Sequence, residues 1–242
     1  MQTFVDAFKF IAQNGPVAGD PSAPTLAHYT LQTLWISGLG LAIALPIGLV
    51  IGVGLGHIHR FSFVAINVSN IGRALPSLAI LAIGDAIFGL GLGVTEIALV
   101  VLAVPLIITN AYAAVDGVDR ELVDAARGMG MTGLEVLRQV ELPLALPLIF
   151  AGIRTAAVYV VATATIASLA GYNGGLGAII TNEASYHLSG VVGAAICVAV
   201  LALAVDLAVG LAQRALTPRG LKLQAELAAV PGEVALVGPG AS

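Results

Sequence analysis

Five long apolar stretches, separated by short polar breaks, dominate this chain: residues 31–55, 61–83, 95–115, 147–170 and 188–211. A helix that crosses a bilayer needs about 20 mainly apolar residues, so each stretch predicts one crossing. The expected fold is therefore all-α integral membrane, with five transmembrane helices. Ahead of the first stretch, Phe4, Phe8 and Ile11 recur at helical spacing and predict a short interfacial helix. Within the first stretch, Gly48, Gly52 and Gly56 lie four residues apart. Such a small-residue stripe lets another helix approach closely, and packing is its expected role.

One long polar interruption breaks the pattern. Asp116, Asp119, Arg120, Glu121, Asp124, Arg127, Glu135, Arg138 and Glu141 all fall within residues 116–143. The first acids cluster where a helix starts, where the helix dipole favours negative charge. Leu122, Ala126 and Met129 then recur at i, i+4 and i+7 and predict a narrow apolar face. Gly128, Gly130 and Gly133 make a continued helix costly, so a turn follows. Thr132 and Glu135 have capping-box spacing, which restarts a helix leading to Pro143. A short helix, a glycine-rich turn and a second helix make a shape suited to a groove on a soluble partner.

Composition agrees with a membrane domain and places that loop. The chain has 242 residues, 58% hydrophobic and 10% charged, against a usual soluble charge content of roughly 25%. Its mean hydropathy is +0.99. Positive loops stay cytoplasmic. With the N-terminus outside, Arg60, Arg120, Arg127, Arg138, Arg214, Arg219 and Lys222 fall inside, Lys9 alone falls outside, and Arg73 and Arg154 lie within spans. The expected orientation is thus N-out and C-in, with the charged loop in the cytoplasm. The expected organisation is an extracytoplasmic segment over 1–27, a transmembrane domain over 28–212 and a largely disordered cytoplasmic tail over 213–242. The first residues lack a compact apolar core and do not read as a cleaved signal peptide.

Several chemistries are excluded. Lys9 follows Phe8 and Lys222 follows Leu221, so the Gly-Lys pair of a P-loop is missing. Cys197 is the only cysteine, which rules out a disulfide framework or a cysteine zinc site. His57 and His59 are two apart, on different sides of a helix, and read as interfacial histidines rather than a metal pair. A net charge of −4 without a basic stripe speaks against nucleic acid as a partner.

The loop carries a specific resemblance. Asp124-Ala125-Ala126, then Gly130, then Val140-Glu141-Leu142-Pro143 is similar to the EAA signature of bacterial ABC importer permeases, with Asp124 for the usual Glu and Val140 for the usual Ile. Three flanking runs are similar to permeases for glycine betaine, carnitine, choline and proline betaine. They are Arg73-Ala-Leu-Pro-Ser-Leu-Ala, Gly89-Leu-Gly-Leu-Gly and Gly174-Gly-Leu-Gly-Ala-Ile-Ile. This chain has Ala178 where many of those permeases carry an acid, and Arg73 where many carry a neutral polar residue. The resemblance implies a bacterial cytoplasmic-membrane, multi-pass permease for compatible solutes, pairing with a second copy or a paralogous permease. It implies a cytoplasmic ABC ATPase that holds ATP and Mg²⁺, so no cofactor is expected in this chain, and an extracytoplasmic substrate-binding protein. It also implies that Asp124, Ala125, Ala126, Arg127, Gly128, Met129, Gly130, Leu142 and Pro143 couple to the ATPase.

Polar residues inside spans are costly and usually face a pathway or a partner. Pro76 removes a backbone donor and is expected to break the second span near mid-membrane. The nearby Arg73 and Ser77 either line a path or bind the freed carbonyls. Arg154 and Asp206 lie at similar depth, so an ion pair that locks packing stands beside a path-lining role. Tyr159 is a further path candidate, and Asp206 reads as the only acid well within a span. Aromatic cages hold quaternary ammonium groups by cation–π attraction, yet only 5% of the chain is aromatic. Selection is therefore expected in the separate binding protein, with Asn173, Glu183 and His187 as its docking candidates. Two other functions stay open: an ABC permease for methionine or another amino acid, and an ion-coupled secondary transporter.

Overall fold

The computed structural model describes residues 2–15, 24–59, 63, 67, 70, 76–89 and 91–217. Their elements are helical throughout. They comprise α1 (Gln2–Ala12), α2 (Leu26–Ile58), α3 (Ser77–Phe88), α4 (Leu92–Asp116), α5 (Arg120–Gly128), α6 (Gly133–Val136), α7 (Leu142–Ile166), α8 (Gly175–Ile180) and α9 (Glu183–Leu216). A π-helical turn, Leu137–Glu141, links α6 to α7, and a 3₁₀ turn, Ala167–Ala170, ends α7.

Four helical runs among the described residues are long and apolar enough to span a membrane: Leu26–Ile58, Leu92–Asp116, Gly133–Ala170 and Glu183–Leu216. They contain the first, third, fourth and fifth expected spans. The second is represented by the shorter apolar α3, and most of residues 61–75 lie outside the described residues. Pro76 sits at the N-cap of α3, in extended conformation. It marks a helix start, where its missing N–H costs nothing, and residues 63, 67 and 70 ahead of it are helical too, so an interruption of the second span at Pro76 fits the described residues.

The glycine stripe organises the bundle. Gly40, Ala44, Gly48, Gly52 and Gly56 are all buried on one face of α2. Gly40 meets Leu99 of α4, Gly48 meets Val104 and Ile107, Gly52 meets Ile108 and Ala111, and Gly56 meets Tyr112 and Val115. Residue numbers rise together along both helices, so α2 and α4 run parallel. Their backbones come close because no side chain intervenes.

Helix α7 closes the other side of α4. Ile36, Ala44, Leu99, Ala103, Ile107, Ala156, Val160 and Ala164 form one buried cluster. At the tight α4–α7 crossing, Gly152 lies against Asn110, whose side-chain amide donates 2.7 Å to the Leu106 carbonyl. Helix α9 is the outer layer, with Val200, Leu203, Leu207 and Leu211 exposed as for lipid contact. It continues to Leu216, into the segment expected as tail; residues 218–242 lie outside the described residues.

The N-terminal segment forms a helix, α1, that packs on α9. Ala7 and Phe10 pack against Gly190 and Gly193 of α9, while Phe4 and Phe8 are exposed. The two phenylalanines fit lipid, and the small Ala7 permits the close approach.

Candidate functional site: the charged loop and its anchors

The loop folds as its local signals dictate. Asp119 caps α5, its side chain accepting from the Glu121 N–H at 2.9 Å. Gly130 takes φ +86°, a region open to glycine at little cost, and turns the chain. Thr132 then starts α6, donating from N–H and Oγ1 to Glu135 Oε2 at 2.7 and 2.8 Å. In the π turn, the Leu142 N–H reaches back five residues to the Leu137 carbonyl. Pro143, without an N–H, follows in the first turn of α7.

Helix α5 carries apolar residues on two sides. Val123 and Ala126 are its buried residues, whereas Leu122 and Met129 are exposed. Val123, Ala126 and Val136 join Val115, Ala145, Ile149 and Ile153 in one core cluster, which fixes the loop under the ends of α4 and α7. The remaining apolar groups, Leu122, Met129 and Leu134, face outward beside the exposed Asp124, Ala125, Arg127 and Gly128. One face of the loop thus grips the bundle while the other leaves apolar and charged groups exposed. The signal for this split was the Val123–Ala126 spacing, which follows the same i, i+3 rule one position over.

Glu141, inside the Val-Glu-Leu-Pro run, is fully buried. His57 Nδ1 lies 2.6 Å from Glu141 Oε2, His59 Nδ1 lies 2.9 Å from Asp116 Oδ1, and His59 Nε2 lies 3.7 Å from Glu141 Oε1. The two histidines therefore converge instead of pointing to different sides. The helix ends at Ile58 and His59 adopts a left-handed cap (φ 49°), so helical spacing no longer sets its direction. This four-residue cluster ties the ends of α2 and α4 to the loop. Among the described residues no group of three or more such side chains has metal-binding geometry.

Within the bundle, Arg154 and Asp206 form a bidentate ion pair, with Nε to Oδ1 at 2.8 Å and a second, shorter contact from Nη2 to Oδ2. Each charge is neutralised where lipid would not solvate it. Reversing the pair tests this. Arg154→Asp or Asp206→Arg alone should lower the amount of inserted protein by about tenfold, because a lone charge then faces the membrane. The double exchange should recover at least half of it, as measured by membrane immunoblot. Tyr159 is half-buried on α7, and Arg73 lies outside the described residues.

Asp206 is not the only acid within a helical span. Glu96, in the second turn of α4, is 8% exposed, and neither carboxylate oxygen has a hydrogen-bond partner among the described residues. Its position at the edge of an apolar run hid it from a hydropathy reading. At the same end of the bundle, the Gln32 side chain accepts from the Gly175 N–H at 3.0 Å and donates to the Tyr172 hydroxyl at 3.1 Å. Thr33 Oγ1 accepts from the Leu176 N–H at 2.8 Å. The Gly-Gly-Leu-Gly run thus forms the buried α8, stitched to α2. Asn173, Glu183 and His187 are exposed around it, and His187 (φ 57°) kinks the start of α9.

Comparison with known proteins agrees with this geometry. The profile of the family described as "Binding-protein-dependent transport system inner membrane component" matches residues 44–219. A choline transport system permease protein of Bacillus subtilis is 37% identical over 220 residues, covering 90% of this chain and 97% of the relative. A glycine betaine/carnitine/choline transport system permease protein of the same organism is 36% identical, covering 81% and 91%. A carnitine transport permease protein of Listeria monocytogenes is 40% identical, covering 80% and 88%. Two solved structures share the fold. One is the inward-facing MetNI methionine ABC transporter, with TM-score 0.63 and 24% identity over 79% of this chain and 94% of that one. The other is an amino acid ABC transporter, with TM-score 0.64 and 21% identity over 88% and 98%. The protein is a multi-pass transport subunit of the inner membrane, in a class of assemblies that take their ATPase and their substrate-binding protein as partner chains. With a matching profile over most of its length and relatives above one-third identity, the chain belongs to the binding-protein-dependent transport system inner membrane component family.

Proposed function

We propose that this chain is the permease subunit of an ATP-driven importer for compatible solutes such as glycine betaine, carnitine, choline or proline betaine. The observation that carries the reading is the two-faced loop over 116–143. Its inner face is built into the bundle core, and its outer face presents Leu122, Asp124, Ala125, Arg127, Gly128, Met129 and Leu134. A cytoplasmic ATPase that grips that outer face moves the ends of α4 and α7 with it, because Val123, Ala126 and Val136 are locked among their side chains. The compatible-solute class rests on the relatives, whose names give choline, carnitine and glycine betaine as cargo.

Five crossings and an N-out, C-in orientation are part of this reading. The parallel packing of α2 and α4 supports them, since the chain between must return across the membrane once, through the segment that ends in α3. The Lys and Arg distribution puts the loop in the cytoplasm and the α8 end outside. The transmembrane domain then spans residues 28–212. Asn173, Glu183 and His187, exposed at the outer end, receive the binding protein, while Leu142 and Pro143 pass loop motion into α7. A second permease, identical or paralogous, completes the path to which Arg73, Pro76, Ser77 and Tyr159 belong, with Arg154 and Asp206 fixing its wall. ATP binding in the partner ATPase, which holds ATP and Mg²⁺, pulls two loops inward and opens the path outward. Hydrolysis resets it, and this chain supplies force transmission rather than bond chemistry.

Uptake by the assembly of permease, ATPase and binding protein in proteoliposomes tests this. Labelled glycine betaine, carnitine or choline should accumulate only with internal ATP. Uptake of methionine but no betaine would replace the cargo. Uptake by the permease alone would point to a secondary transporter.

A further inference from the structure

Glu141 presents an unfinished contact. Its Oε2 is satisfied by His57, yet Oε1, equally buried, has no hydrogen-bond partner among the described residues. A buried unmade hydrogen bond costs about 1–3 kcal/mol, so a nearby donor that moves in stabilises a second arrangement. His59 Nε2, at 3.7 Å, lies about 0.5 Å beyond hydrogen-bond distance from Oε1. His59 is already held to Asp116 through Nδ1. Closing that gap draws the end of α2, the end of α4 and the start of α7 together; opening it leaves Glu141 on His57 alone. The cluster sits at the junction a coupling movement must cross, one residue before Leu142-Pro143. The π turn that ends at Glu141 is a device that inserts a residue into a helix and is found at functional positions.

We propose that Glu141 and His59 are positioning residues that form a two-position latch, open in this conformation and closed in another, through which movement of the 116–143 loop reaches α2 and α4. The proposal rests on the permease reading. In the closed state the two ring nitrogens of His59 face a carboxylate each, Asp116 on one side and Glu141 on the other. The charged groups facing it are His57 from α2, Asp116 from α4 and Glu141 from the π turn. Two discrete arrangements of one packed junction are what the transmission of a conformational change requires.

The test uses the full transporter in proteoliposomes, with the cognate ATPase and binding protein, and reads solute imported per ATP hydrolysed. Glu141→Gln and His59→Gln should each lower that ratio about fivefold or more. The double variant should fall no further than the lower single one, because both remove the same contact. Thermal midpoints of the purified complexes should stay within a few degrees of wild type, which separates a latch from a loss of fold. A wild-type ratio in either single variant overturns the proposal, as do losses that multiply in the double. If Glu141→Gln does not assemble, His59→Gln decides alone by the same ratio. Failure of the permease reading appears elsewhere, as a wild-type complex that imports no compatible solute.

Discussion

Gly52→Val should remove most of the folded protein from the membrane. A side chain there meets the Ile108 carbonyl oxygen at 2.6 Å and the Ala111 Cβ at 2.7 Å. The first is main chain of α4 and the second is the stub of a side chain, so neither moves aside without shifting the helix. Overpacking of this kind costs about 3 kcal/mol, or roughly two orders of magnitude in the folded-to-unfolded ratio. The expected result is a membrane fraction with little α2–α4 bundle, read by protease resistance and detergent-extracted yield. Gly54→Val is the control. It adds the same side chain two residues on, where nothing lies within 4 Å, and should behave as wild type. Equal yields from both variants would show that the stripe does not hold α2 to α4.

Loop variants should give the opposite pattern, in which the protein is inserted and folded but transports poorly. At Gly130, a Cβ meets nothing within 4 Å, yet φ is +86°. Gly130→Val therefore costs nothing in packing and about 1–2 kcal/mol in backbone conformation. The cheapest escape is for the turn to move, carrying Met129 and Met131 with it and breaking the bonds from Gly130 N–H to Arg127 O and from Met131 N–H to Ala126 O. Asp124→Lys reverses a charge on the exposed face of α5. Each should cut ATP-driven uptake by tenfold or more while protein yield stays near wild type. Co-purification of the ATPase should weaken with Asp124→Lys above all, as like charges at an interface cost several kcal/mol. Normal uptake by both variants would contradict the docking role of the loop.

These two cases also separate what sequence reasoning reached from what it did not. The Gly48, Gly52 and Gly56 spacing announced a helix contact, and the contact is there; which helix it meets only the fold decides, since several spans permit many neighbours. Gly130 and the Thr132–Glu135 pair were legible because both act within one turn of the chain. The Leu122, Ala126 and Met129 pattern marked a narrow apolar face without fixing which side packs inward, since Val123 and Ala126 one position over admit a second register. Only the bundle above it selects one. Arg154 and Asp206 were legible as a pair because depth in a membrane converts sequence position into height. Pro76 was legible as an interruption, and the structure adds that α3 begins there.

His57, His59 and Glu141 mark the limit most clearly. Two histidines at i and i+2 diverge on a helix, and here they converge because the helix stops between them; Glu141 reaches them from 84 residues away through a π turn. Glu96 likewise looks like a boundary residue in the sequence and is buried against Gly40 in the structure.

The sequence by itself determined the membrane class, most of the spans, and the loop and its caps, because hydropathy and capping act over short stretches of chain. Only the tertiary structure decided which face of α5 is free, that α2 and α4 run parallel, and that Glu141 lies between two histidines. Those depend on close packing between segments far apart in sequence, where about half an ångström separates a made hydrogen bond from an open one.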